Sequence, residues 1–152
     1  MSFSHTTGTR GARQPGGRLV AWVNRRTVKK IRTKGGKVMG MNALVLTTIG
    51  RKSGQERATP VGWFPGPDGT WIIVASAAGA ASNPAWYLNL AAHPDEVTIE
   101  LDGQKIPVSA QELHGDERDA AWAQITAAAP NFAKYEVRTD RVLPVLRLTR
   151  RS

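Results

Sequence analysis

Apolar residues first recur with a helical period in Arg18–Arg32 (RLVAWVNRRTVKKIR). Leu19, Val20, Val23, Val28 and Ile31 share one broad side of a helical wheel, and Arg18, Arg25, Arg26, Lys29 and Arg32 gather on the other. The pattern predicts a basic amphipathic helix within 18–36. Trp22 falls at the border of the two faces, where an amphipathic indole sits at a membrane surface. A helix packed on the domain with its basic face in solvent satisfies the pattern equally well. Residues 1–17 (MSFSHTTGTRGARQPGG) are polar, glycine-rich and aperiodic, and read as a disordered tail.

Beyond Gly35, Gly36 and Gly40 the pattern changes to short apolar runs. Ala43–Ile49, Ala58–Phe64 and Thr70–Ser76 read as three strands of an antiparallel meander, with a turn at Pro65–Gly69 between the last two. Asn83-Pro84 then opens a helix, with Asn83 as N-cap and proline in the first helical position, and His93-Pro94 ends it. Glu96–Leu101 and Lys105–Leu113 alternate around Asp102-Gly103, a favoured hairpin turn. Asp116–Ala129 is an alanine-rich helix with acids in its first turn; Pro130 interrupts it, a shorter helix follows at 131–137, and Val142–Leu148 forms a last strand. The expected body, 37–152, is one α+β domain: a mainly antiparallel, barrel-like sheet with inserted helices.

Charge sharpens this picture. Residues 1–57 hold 13 of the 21 Lys and Arg but a single acid, Glu56; residues 58–152 hold 8 bases and 11 acids. A front half this basic favours a polyanionic partner: nucleic acid, an anionic membrane face or a multiply charged small ligand. With no cysteine, disulfides, thiolate metal sites and cysteine nucleophiles are excluded. His5, His93 and His114 are spread without ligand spacing, so no metal site is expected. No apolar run approaches the ~18–20 residues needed to cross a bilayer, and the start lacks a signal peptide's apolar centre, so a cytoplasmic location is expected.

The strongest local signal is the corner in TTIGRKSGQERATPV, residues 47–61, where Arg51, Lys52 and Arg57 crowd a glycine-flanked turn. It is not a P-loop, because Arg51 separates Gly50 from Lys52, and it joins strands rather than opening a helix. Ser53, Ser76, Ser82 and Ser109 have no histidine at triad spacing, so an enzyme built on this chain would rely on a cofactor for its chemistry.

The run Thr47–Gly54 with Arg57 and Pro60, then Val74-Ala75-Ser76, Asn83–Leu90 (NPAWYLNL) and Thr139-Asp140-Arg141 with Pro144, resembles the deazaflavin-dependent nitroreductase and quinone reductase family. The four blocks stand in family order over residues 40–150. The resemblance implies a split β-barrel of the flavin-reductase type. It also implies coenzyme F420, an 8-hydroxy-5-deazaflavin with a phosphate and polyglutamate tail, in preference to FMN, and hydride transfer to a quinone-like, enone or nitroaromatic acceptor.

On that resemblance, Arg51, Lys52 and Arg57 hold the tail, with Thr48, Gly50, Gly54 and Pro60 shaping the corner. Ala75, Ser76 and Ala77 pass the deazaflavin edge, and Ala85, Trp86, Tyr87 and Asn89 line the ring and linker. Ser76 and Tyr135 orient the acceptor beside Ala129 and Phe132. The family's N-terminal segment is often membrane-associated, which implies peripheral contact through 18–32 and makes a membrane quinone an acceptor. Two departures stand out: Ala77 replaces a lysine of the nitroreductase pattern, and Ala129 and Phe132 replace two of its three tyrosines. Nucleic acid binding by a non-catalytic, basic-armed barrel and an F420 carrier without turnover are the alternatives; oligomeric state is left open.

Overall fold

In the computed structural model, residues 3–11, 18–34, 37–38 and 41–151 are described. The basic helix α1 spans Arg18–Lys34; β1 (Lys37–Val38), β2 (Met41–Ile49), β3 (Glu56–Gly62), β4 (Phe64–Pro65) and β5 (Trp71–Val74) follow. Then come α2 (Ala85–Ala92), β6 (Val97–Leu101), β7 (Gln104–Glu112), α3 (Gly115–Ala128), α4 (Asn131–Arg138) and β8 (Val145–Arg150). The strands form one antiparallel sheet in the order β1-β2-β6-β7-β8-β5-β4, with β3 also on β2. The α+β, mainly antiparallel half-barrel expected from the sequence is thus present.

The meander holds for one step only. β2 and β3 pair along seven residues, Ala43↔Gly62 through Ile49↔Glu56, but β5 pairs with β4 and with the C-terminal β8. The chain leaves β3 at Trp63, whose N–H donates to Asn42 O at 3.0 Å, and Pro67–Gly69 turns the short β4 back onto β5. Two adjacent apolar runs therefore lie at opposite ends of the sheet. The later hairpin forms as read, with Asp102 at φ 50° and Gly103 at φ 74°, the left-handed pair such a turn demands.

Alternation divides the strands between separate cores. Leu44 and Leu46 of β2, Ile73 of β5, Ile99 of β6 and Leu146 and Leu148 of β8 fill the barrel, where Tyr87 and Leu90 of α2 close over them. Ile72, Val74 and Val145 face the other way, onto Ile125, Ala129 and Phe132 of α3 and α4. Ala43 and Val45 receive Val28 and Ile31 of α1, and Arg32 fastens that helix through a two-point ion pair to Glu100 on β6. Leu19, Trp22 and Val23, toward its start, remain exposed, with the Arg26 guanidinium 4.9 Å from the Trp22 ring. The packed reading thus holds for the later turns of the helix, and the apolar residues of its first turns face solvent.

Residues 3–11 depart from the expected disorder. The segment lies against the α2 start and the α4–β8 loop: Ser4 N–H and hydroxyl donate to Glu112, and His5 N–H donates to Tyr87 Oη. Thr6 hydroxyl donates to Val142 O at 2.7 Å, and Gly8 N–H to Ala81 O at 2.8 Å. The glycines that suggested flexibility serve close approach. A Cβ on Gly8 would stand 2.6 Å from Asp140 Oδ1, and one on Gly11 2.4 Å from Gly79 O. The rest of the predicted tail, 1–2 and 12–17, and the glycines at 35, 36 and 40 lie outside the described residues.

Asp140 anchors this arm by accepting from Thr9 N–H, Thr9 hydroxyl and Arg10 N–H. Those donors, the Thr9 hydroxyl foremost, lower its pKa from 3.8 to about 2. Because the folded value is depressed, the contribution is complete above the free value of 3.8 and is lost as pH falls through about 2. We expect the Thr9 and Arg10 amide resonances to keep their docked positions at pH 5 and to move together below pH 4. Movement already complete at pH 5 would contradict this anchoring.

Candidate active site

The cationic corner is a closed turn. Gly50 N–H donates to Gln55 O and Gly54 N–H to Gly50 O, both at 2.8 Å, and Gly54 sits at φ 70°. A side chain at Gly50 would meet Ser53 Oγ at 2.5 Å and Gln55 O at 3.3 Å, so glycine lets the turn close on itself. Arg51, Lys52 and Arg57 are exposed, and among the described residues no carboxylate lies within 4 Å of them. Three exposed cations at one corner, none ion-paired there with Glu56, fit an anionic ligand with several charges. Beneath them Thr48, paired with Arg57 across the strands, is fully buried with its hydroxyl unpartnered. Pro60 sits farther along β3, opposite Val45.

Asn89 ties this corner to α2. Its buried Oδ1 accepts Arg51 N–H at 3.1 Å and Arg51 Nη1 at 3.5 Å. The residue expected to line a ring is thus engaged in holding two chain segments together. Trp86 and Ala85 stay accessible at the helix start, but Tyr87 does not: one helical step turns it into the barrel, where it is fully buried. Its hydroxyl donates to Glu112 and accepts His5 N–H, and burial first, then the Glu112 contact, raises its pKa. Tyr87 is thus a core residue, with its side chain turned away from the accessible surface where the resemblance placed the ring.

Asn83 differs too. Pro84, rather than Asn83, is the N-cap of α2, and the Asn83 side chain donates to Thr6 O at 3.0 Å and accepts from Arg141. Upstream of it, buried Ala75 and half-buried Ser76 follow the end of β5, and the chain enters a tight turn. Ala77 lies at φ 46° and Gly79 at φ 81°. A left-handed alanine costs about 1–2 kcal/mol, so the surroundings must enforce the turn.

Helix α4 stands beside this turn: a Cβ on Gly79 would come 3.0 Å from Tyr135 O and 3.2 Å from Arg138 Cβ. Ala129 and Phe132 are buried, and Phe132 makes edge contacts with Phe64 and Tyr135 at 5.8 and 5.5 Å. Half-buried Tyr135 accepts Asn131 Nδ2–H at 3.3 Å. The acceptor-side residues and the Ser76–Ala77 wall are therefore brought together from distant parts of the sequence. Ala75 is fully buried, so half-buried Ser76 and Ala77 are the part of this wall that a flat ring can approach.

Sequence reasoning missed the role of Arg141. It is 2% exposed, and its guanidinium donates to Ala75 O (3.0 Å), Ser76 O (2.7 Å), Ala80 O (2.9 Å) and the Asn83 side-chain oxygen. The Thr139-Asp140-Arg141 motif was the available signal, but spacing alone could not say which way the arginine turns. No cluster of three or more potential metal-ligating acids, histidines or cysteines occurs among the described residues.

Comparison with known proteins agrees with this geometry. Residues 17–150 match the family model described as F420H(2)-dependent quinone reductase. An F420H(2)-dependent quinone reductase of Mycobacterium tuberculosis is 36% identical over 112 residues, covering 72% of this chain and 74% of that protein. Among solved structures, an F420-H2 dependent reductase is 34% identical with a TM-score of 0.62, over 70% of this chain and 92% of that one. A second, described as a domain-swapped dimer, is 31% identical with a TM-score of 0.63, over 86% of this chain and 99% of that one. With the split-barrel fold, the corner and the small-residue wall in place, the chain belongs to the F420H(2)-dependent quinone reductase family of oxidoreductases.

Proposed function

We propose that this chain binds the F420 tail at the Arg51-Lys52-Arg57 corner and the deazaflavin ring along Ala75-Ser76-Ala77 and Trp86, and reduces a quinone-like acceptor held on the α4 side. The observation that carries this is the corner itself: three exposed cations with no carboxylate within reach among the described residues, joined through Asn89 to the helix that carries Trp86.

When bound, reduced F420 supplies the hydride. The chain's part is to position the reactants and to limit water. Phe132, buried against Phe64, offers an apolar edge for a flat acceptor, and the Tyr135 and Ser76 hydroxyls are the groups available to orient its oxygen. Each such hydrogen bond is worth ~0.5–1.5 kcal/mol, so the tyrosines replaced by Ala129 and Phe132 favour an acceptor held by stacking over one held by several polar contacts. Quinones and flat enones are thereby favoured over nitroaromatics.

Titrating oxidised F420 and FMN into the protein tests the cofactor. F420 is expected to bind, and Arg51→Gln and Lys52→Gln each to weaken it about tenfold, equal to about 1.4 kcal/mol and near the low end for a charged hydrogen bond. Binding of FMN alone would overturn the assignment. Turnover with menadione tests the acceptor class.

Peripheral membrane contact through α1 is supported by the exposed Leu19, Trp22 and Val23 beside basic residues; no described helix is long and apolar enough to cross a membrane. Trp22→Ser with Leu19→Ser is expected to lower co-sedimentation with phosphatidylglycerol vesicles by at least fivefold. Unchanged binding would mean that this face has another use.

A further inference from the structure

Arg141 grips both ends of one turn. Its guanidinium holds the carbonyls of Ala75 and Ser76 before the turn and that of Ala80 after it, and reaches Asn83 at the approach to α2. Between those ends lie Gly79 and the left-handed Ala77, the latter in a conformation that a free chain would abandon. Among the described residues no carboxylate lies within 4 Å of this guanidinium, so carbonyl and carboxamide oxygens alone satisfy it. Lysine could keep the charge but not the planar fork that spans these oxygens.

The arm encloses this arrangement from outside. Asn83 Nδ2–H donates to Thr6 O, Gly8 N–H donates to Ala81 O, and Thr139 hydroxyl donates to Arg10 O while accepting Arg141 N–H. At Gly8 a Cβ would come 2.9 Å from Arg141 N, and at Gly11 2.8 Å from Ala81 N. These residues precede the stretch, 17–150, that matches the family model.

We propose that Arg141 is a positioning residue that fixes the Ala75–Ala80 wall for the deazaflavin ring, and that residues 3–11 are a clasp keeping its guanidinium in place. This rests on the cofactor reading above. It extends that reading by making ring affinity depend on a segment that lies outside the family match and does not itself line the ring wall.

The test compares the full-length protein with Arg141→Lys, Gly8→Val and a chain lacking residues 2–11. Two quantities are read: amide hydrogen exchange in the ligand-free protein and the F420 dissociation constant. Exchange at Gly79 and Ala80, whose N–H groups donate to Ser76 O and Ala77 O, is expected to accelerate at least tenfold in all three variants, with barrel amides such as Leu46 and Ile99 unchanged. The F420 dissociation constant is expected to rise at least tenfold for Arg141→Lys and about fivefold for the arm variants. A role in charge alone would leave Arg141→Lys like wild type, and a merely structural role would accelerate the barrel amides equally; either result overturns the proposal. If Arg141→Lys fails to fold, the two arm variants decide. Wild type binding F420 while the folded variants bind it as tightly defeats the proposal alone; wild type failing to bind F420 defeats the cofactor reading and the proposal with it.

Discussion

A buried guanidinium with no carboxylate partner among the described residues is the constraint around which the candidate site is arranged. Removing such a charge from water costs several kcal/mol unless its N–H groups find oxygens. Arg141 finds four, and all four belong to the segment from Ala75 to Asn83. The requirement to satisfy one cation therefore fixes the end of β5, the left-handed turn after it and the approach to α2 together. It also engages Asn83, whose side-chain oxygen faces Arg141 and whose nitrogen faces Thr6, while Pro84 takes the N-cap position of α2.

Three chain segments converge as a result. The corner brings charge, the β5 end brings a small-residue wall, and α4 brings Phe132 and Tyr135. Asn89 joins the first to α2, and Gly79 lets α4 approach the second. In the proposed binding mode, tail and ring fall to different elements, so that substitution at Ala129 and Phe132 would leave the corner undisturbed.

Features controlled by local rules were legible in the chain. The Asp102-Gly103 hairpin, the Gly50–Gly54 corner, the Pro130 break between α3 and α4 and the basic helix all follow from neighbouring residues, and they appear within a few positions of the expected bounds. Features set by distant contacts were not. The pairing of β5 with β8 depends on a strand some seventy residues later, and Tyr87 turns inward because Glu112 and His5 await it there. The arm gave the wrong signal altogether, since Gly8 and Gly11 look alike whether they loosen a chain or admit it to a tight groove. Arg141 stood in a recognisable motif, yet its task follows only from the carbonyls that surround it.

A crystal structure with oxidised F420 bound most directly tests whether these parts form one cofactor site. The account predicts tail phosphate or carboxylate oxygens within hydrogen-bonding distance of Arg51 or Lys52, and the deazaflavin in van der Waals contact with Ala75–Ala77 while Arg141 keeps its carbonyl contacts. A ring seated away from that wall, or a tail that avoids the corner, would contradict it.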